Sequence, residues 1–170
     1  MKKVINLILI ILLITALTGC EGDKVKFPNG ITTTEFSDDV LSFKFPDTYK
    51  VINIYKDYNY FDHKQSSSFF YILLNGKLDL SLEEMATHTA NTSIEQSRKL
   101  GMELQLDKTE DLKIDGKDAK LLTFKGGLLD ERYILIDYDS VDFYLFLFCL
   151  EFDEDNTQLI QAILASVKFK

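Results

Sequence analysis

Thiols, histidines and basic side chains are all scarce in this chain, and each shortage removes a class of explanation. Only two cysteines, Cys20 and Cys149, occur in 170 residues, too few for the disulfide framework that staples small secreted domains with thin cores. There are two histidines, His63 and His88, and no Gly-x-Ser-x-Gly stretch, so no local signature of nucleophilic catalysis is present. A triad assembled from distant residues stays open at this point, because triads are defined by geometry; solvated histidines are the plainer account. Lysine and arginine number 19 against 27 acidic residues. That excess of acid is repelled by phosphate backbones and anionic lipid surfaces, which argues against a nucleic-acid partner. Long hydrophobic runs are missing too. The apolar segment at residues 4–17 falls short of the roughly 20 residues of a bilayer-spanning helix. No internal repeat and no cofactor motif is visible, and Ser66-Ser67-Ser68 is the only low-complexity stretch.

What is present suits one ordinary domain. Hydrophobic residues make up 46% and aromatic residues 12% of the chain, enough apolar surface to offset chain entropy and exclude disorder. Lys2 and Lys3 precede the apolar segment, and Leu17-Thr18-Gly19-Cys20 closes it. A charged start, an apolar middle and small residues before a cleavage point are the parts of an export signal. With cysteine after the small residues, the segment resembles a bacterial lipoprotein signal. The resemblance implies removal of residues 1–19, lipidation of Cys20, and a protein held by its lipid on the extracytoplasmic face of the cell membrane. Removing Lys2 and Lys3 leaves 17 basic against 27 acidic side chains, a net charge of −10. Surface charge does not hold such a domain at a membrane; the anchor must. Residues 20–35 are polar and contain Pro28-Asn29-Gly30, which reads as a flexible tether of at most roughly 50 Å.

Folded structure is expected over residues 36–170. Residues 41–45 alternate apolar and polar as a half-buried strand; Pro46-Asp47 breaks it, and 49–55 continues as the second arm of a hairpin-like pair. Residues 56–68 read as a loop, 69–74 as a strand, and Asn75-Gly76 as a tight turn. Ser81-Leu82-Glu83-Glu84 matches a capping box. From it Leu82, Met85, Ala86, Ala90 and Ile94 trace one helix face toward a stop at Gly101, a stripe small enough for close packing on a sheet. Strands are expected at 104–114, 117–125, 131–138 and 141–151, with Asp115-Gly116 as a two-residue turn. Residues 143–150 lack polar alternation, so both faces of this strand should be covered, and it is predicted to be central. Cys149 within it reads as a small buried hydrophobe. Asp153-Glu154-Asp155-Asn156 opens a last helix with Leu159, Ile160, Ile163, Leu164 and Val167 on one face, and 167–169 offers a terminal strand. The order β-β-β-α-β-β-β-β-α predicts an α+β fold, a mostly antiparallel sheet of about six to seven strands covered by helices.

Several of these motifs carry a second resemblance: Phe45-Pro46 with Tyr49, the helix start at Ser81-Leu82-Glu83-Glu84-Met85-Ala86, the hairpin Ile114-Asp115-Gly116-Lys117-Asp118-Ala119, and the ending Ala165-Ser166-Val167-Lys168-Phe169. Together they resemble the PsbP-like superfamily, which also holds the Ran-binding Mog protein and DcrB-type bacterial lipoproteins. The resemblance implies an α/β/α sandwich that binds or helps assemble other proteins, and no activity as an enzyme. It carries over no site residue.

Candidate sites follow from the residues. Tyr55, Tyr58, Tyr60 and Phe61 interleave with Asn and Asp, a composition suited to a protein contact or to sugar stacking, because tyrosine gives large contact area at low entropy cost. Capping the open end of a core explains the same residues. The strand at 143–150 lines either a lipid-binding cavity or plain core. Asp137, Asp139 and Asp142, and the run 153–156, gather oxygen ligands but lack the twelve-residue calcium-loop pattern; a polar hairpin end and an acidic helix start account for them. The expectation is a lipid-anchored monomer without catalytic activity that contacts another envelope protein. A small-ligand or lipid-binding lipoprotein is the alternative, and a cell-envelope hydrolase the third reading. Replacing Cys20 (Cys20→Ala) should abolish incorporation of labelled fatty acid and release the protein from membranes; undiminished labelling would remove the anchor.

Overall fold

The computed structural model describes residues 26–170 except 56–57, 77–78 and 154–155, and the side chains of 53–55 are likewise outside it. The signal at 1–19, Cys20 and the start of the tether lie outside the described residues. Along the rest run β1 (Thr33–Ser37), β2 (Leu41–Pro46), β3 (Tyr49–Tyr55), β4 (Tyr58–His63), β5 (Phe69–Gly76), α1 (Leu82–Lys99), β6 (Gln105–Ile114), β7 (Lys117–Lys125), β8 (Asp130–Asp137), β9 (Asp142–Leu150), α2 (Asn156–Ser166) and β10 (Lys168–Phe169). Seven strands form one antiparallel sheet in the order β3-β4-β5-β9-β8-β7-β6, and a second sheet has the order β1-β2-β10. The predicted α+β class is the observed one.

The middle of the large sheet is β9, as its sequence requires. Tyr144, Phe146, Phe148 and Leu150 point into one core, and Phe143, Leu145, Leu147 and Cys149 into another. The first core is rich in phenylalanine. Phe61 stacks on Phe70 at 4.3 Å and 7°, Phe70 on Phe148 at 5.2 Å, and Phe43 and Phe45 pack edge-on from β2. Over this face lie the small sheet and α2, whose Ile160, Ile163 and Leu164 complete the layer. The second core lies under α1, through Met85, Ala86 and Ala90. Its start is the expected capping box: Ser81 Oγ accepts from the Glu84 N–H at 3.3 Å, and the Glu84 carboxylate accepts from the Ser81 N–H at 2.9 Å. Its end is the expected one as well, with Gly101 at φ +77 and the Met102 N–H reaching back to the Ser97 carbonyl.

Four local expectations are corrected. Residues 56–68 are not all loop: β4 pairs with β3 and β5, and its polar residues obscured a strand whose Asn59 and Phe61 face the phenylalanine core while Tyr58 and Tyr60 face away. Residues 41–45 and 49–55 are not a hairpin; β2 pairs with β1 and β10, and β3 with β4. Asn75-Gly76 is not a turn, because both residues continue β5 opposite Phe143 and Asp142. The body begins before residue 36: Phe27 packs on the core, Pro28 is buried, and β1 starts at Thr33. Residues 26–35 therefore belong to the domain and not to the tether; residues 20–25 lie outside the described residues. Asp115-Gly116 is a turn as expected, with φ +48 and +82. Its carboxylate also accepts from Lys168 Nζ at 2.7 Å and the Phe169 N–H at 2.8 Å, which latches β10 to the β6–β7 hairpin and holds the Asp115 carboxyl below its usual range.

Candidate functional site

Helix α1 rests against β6, β7 and β8. Lys120 of β7 fixes its start: the ammonium bridges Glu83 of α1 at 2.6 Å and Asp111 of β6 at 2.7 Å, and these carboxylates hold it charged. Among the described residues no helix lies over the other half of the same sheet face, formed by β3, β4 and β5. Tyr58 and Tyr60 of β4 and Phe69 and Tyr71 of β5 lie there half-buried, with ring contacts of 5.2 Å between Tyr58 and Tyr71 and 5.5 Å between Tyr60 and Phe69. Ile52 of β3 is exposed beside them.

Between this aromatic half and α1 runs an open cleft of about 340 Å³. Tyr71, Phe143, Leu145 and Leu147 floor it; His88, Thr89, Thr92, Ser93 and Gln96 of α1 form its wall. These wall positions recur every three to four residues, so they are the flank of the helix that neither packs on the sheet nor faces away from it. Among the described residues no aspartate, glutamate, lysine or arginine lines the cleft. Its chemistry is an apolar floor beside hydroxyl, amide and imidazole groups. Tyr133 closes the deep side, its hydroxyl bonded to Ser93 and, at 3.3 Å, to Glu131. Burial pushes the Tyr133 and Tyr71 phenols and the Glu131 carboxyl above their ordinary values, so the phenols stay protonated hydrogen-bonding groups. Cys149, on the same sheet face, is buried and pushed up to about 12 by desolvation, an unreactive thiol.

The sequence-expected contact residues divide. Tyr58 and Tyr60 share the open face. Phe61 does not: it is 0% exposed and belongs to the phenylalanine core, a consequence of strand alternation that a loop reading hides. The Tyr55 side chain lies outside the described residues. Phe69, Tyr71 and the α1 flank belong to the site and were not singled out from sequence. The signal that could have found them is the even spacing of Phe69 and Tyr71 against Phe70 and Ile72, once a neighbouring strand at 58–63 is allowed.

A second cavity, of about 480 Å³, brings His63 together with Ser66, Ser68 and Glu151. Their hydrogen bonds are committed elsewhere. His63 Nδ1 accepts from the Gln65 N–H at 3.2 Å, which leaves the proton of the neutral ring on Nε2 and no free base for a hydroxyl. Ser68 Oγ accepts from the Glu151 N–H at 2.9 Å, and the Glu151 carboxylate accepts from the Ser67 N–H at 2.8 Å. This geometry offers no nucleophile–base pair. The three aspartates at 137, 139 and 142 are a hairpin end, where Asp139 Oδ1 accepts from the Val141 and Asp142 N–H groups at 2.7 and 2.8 Å. Among the described residues no group of three His, Cys, Asp or Glu side chains is placed to hold a metal, and no helix is long and apolar enough to cross a membrane. Glu154 and Asp155 lie outside them.

No protein-family model matches the chain, and no curated protein matches it. Solved structures do. The cyanobacterial PsbP protein, CyanoP, of Synechocystis sp. PCC 6803 is similar with a TM-score of 0.64 over 91% of this chain and 99% of that one, at 13% identity. A protein of unknown function from Pseudomonas aeruginosa gives 0.43 over 69% and 83% of the two chains at 19% identity. A protein from Bacteroides thetaiotaomicron gives 0.46 over 80% and 48% at 12% identity. The last two are too distant to bear on function. At 13% identity the first shows the fold, which is PsbP-like, as the turn, cap and core-strand motifs implied.

The division of the aromatic residues is measurable. Phe61→Ala should cost about 3–5 kcal/mol, the loss for truncating a buried phenylalanine. Tyr58→Ala and Tyr60→Ala should each cost roughly 1 kcal/mol or less, as half-buried rings that make one aromatic contact each. Chemical denaturation reads both. Tyrosine variants as costly as Phe61→Ala would make the open face part of the core.

Proposed function

We propose that this protein is a lipid-anchored binding module on the extracytoplasmic face of the cell membrane, monomeric and without catalytic activity, that holds another envelope protein against the uncovered half of its α1 face. The observation that carries the reading is the row of Tyr58, Tyr60, Phe69 and Tyr71, half-exposed on the part of this sheet face that no helix among the described residues covers. Tyrosines in a relatively flat, partly desolvated patch supply contact area with few rotatable bonds and a hydroxyl that pairs at the rim. The anchor is supported by the lipobox at Leu17-Thr18-Gly19-Cys20.

A second reading, a small apolar ligand or lipid chain held in the cleft, is favoured by one observation: the cleft is floored from β9 by Phe143, Leu145 and Leu147 and its volume suits a small molecule. An uncharged lining selects an uncharged guest, since nothing there offsets the desolvation of an ion.

A photo-reactive amino acid in place of Tyr60 should capture a protein of discrete mass in intact cells, while the same group at Thr109, exposed on the opposite edge strand, should not. Equal capture from both positions would remove the open face as the contact. For the cleft, the neutral probe N-phenyl-1-naphthylamine should brighten saturably with the purified protein, and Thr92→Trp, which fills the space from α1, should abolish the signal. An unsaturable response would exclude the small-ligand reading.

A further inference from the structure

The chain enters the folded body at one end of the large sheet. The Lys26 carbonyl accepts from Gln158 Nε2 in the first turn of α2, and residues 30–32 border the same cavity as Phe152 and Asn156, just after β9 ends. At this end β7, β9 and α1 finish and β6 and β8 begin. Large apolar side chains stand out of it. Leu128 in the β7–β8 turn is 82% exposed, Leu100 at the C-cap of α1 is 75% exposed, and Phe152 beyond β9 is 71% exposed. Leu106, at the start of β6, adds a fourth. The opposite end of the strands, among the described residues, offers Val141 at 64%.

Two of these tips are fixed relative to each other. Gly126 has φ +85, and a Cβ there would stand 2.2 Å from the Glu103 carbonyl oxygen, so the turn bearing Leu128 is pressed against the segment that follows Leu100. Two of the lysines nearby are already paired with acids. Lys99 is paired with Glu95 at 2.8 Å and Lys125 with Asp107 at 2.7 Å. The end is apolar at its tips, and the two lysines behind them are held in ion pairs.

We infer that this end is a membrane-resting rim: Leu100, Leu128 and Phe152 dip into the bilayer interface and hold the domain upright on its lipid anchor. The inference rests on the anchoring of Cys20 proposed above. Five residues lie between Cys20 and Lys26, so the six steps give a contour of about 20 Å at full extension. A folded protein does not fit into that gap, since even a 100-residue domain has a radius of gyration of about 13 Å and is wider than the leash is long. The surface that meets this rim is therefore lipid. An interface of uncharged headgroups suits it, because apolar side chains enter that region without an ionic partner, and the acidic body would resist an anionic one.

The test uses the full-length lipidated protein in phosphatidylcholine vesicles that carry a lipid-borne quencher. Cys149 is buried, so a thiol introduced by Leu128→Cys, Phe152→Cys or Val141→Cys takes an environment-sensitive fluorophore. Emission at positions 128 and 152 should shift to the blue and be quenched several-fold more than at 141. Quenching equal at all three positions, or strongest at 141, would overturn the rim. Flotation separates the two claims: a protein that fails to float with vesicles loses the anchor and the rim with it, whereas one that floats with positions 128 and 152 unquenched loses the rim alone.

Discussion

Seven strands spaced about 4.8 Å apart make a sheet roughly 30 Å wide, and an α-helix is about 10 Å across. One helix cannot cover such a face. On the phenylalanine side the deficit is filled by β1, β2 and β10, which lie beside α2 and bury Leu41, Phe43 and Phe45. On the other side α1 is alone among the described residues, held over β6–β8 by its packed face and the Lys120 ion pairs. The uncovered strands there answer the mismatch with tyrosine, whose ring is apolar and whose hydroxyl tolerates water. Both the open aromatic half-face and the cleft beside α1 follow from that difference in width.

Coverage of the first side depends on polar fastening. Asp130 and Arg132 of β8 form a paired fork at 2.8–3.0 Å; Arg132 also donates to Thr157 at 2.9 Å, and Asn156 donates to Asp130 and to the Glu151 carbonyl. This largely buried network fixes the start of α2 at one end, while Asp115 holds Lys168 and Phe169 at the other. Each buried charge has its partner, so the network costs little desolvation left uncompensated and sets where the small sheet must close.

Much of the fold was legible because single residues carried unambiguous physics. The unbroken apolar run at 143–150 could only be a strand covered on both sides, and it is the middle strand. Ser81 with Glu84, and Asp115 with Gly116, specify a helix start and a tight turn by hydrogen bonding and backbone freedom alone. What the sequence hid was pairing. Nothing in residues 41–55 says that β2 and β3 belong to different sheets, since each has the alternation of a half-buried strand. Asn59 and Asp62 masked β4, because period-two burial is blurred where one face is core and the other half-open to water. The site was hidden for the same reason: its residues come from β4, β5, β9 and α1, and only the register joins them.

Among the described residues the most insoluble window is also β9, with eight consecutive apolar residues, no charge and no proline from 143 to 150. Such a window invites intermolecular β-pairing whenever it is exposed. Its two neighbours in the sheet, β5 and β8, both precede it. In a chain that emerges from its N-terminus, the docking slot between β5 and β8 can exist before β9 arrives, and β9 then enters it as the closing strand. Order of emergence thus shields the stretch that an unfolded copy would most readily aggregate through.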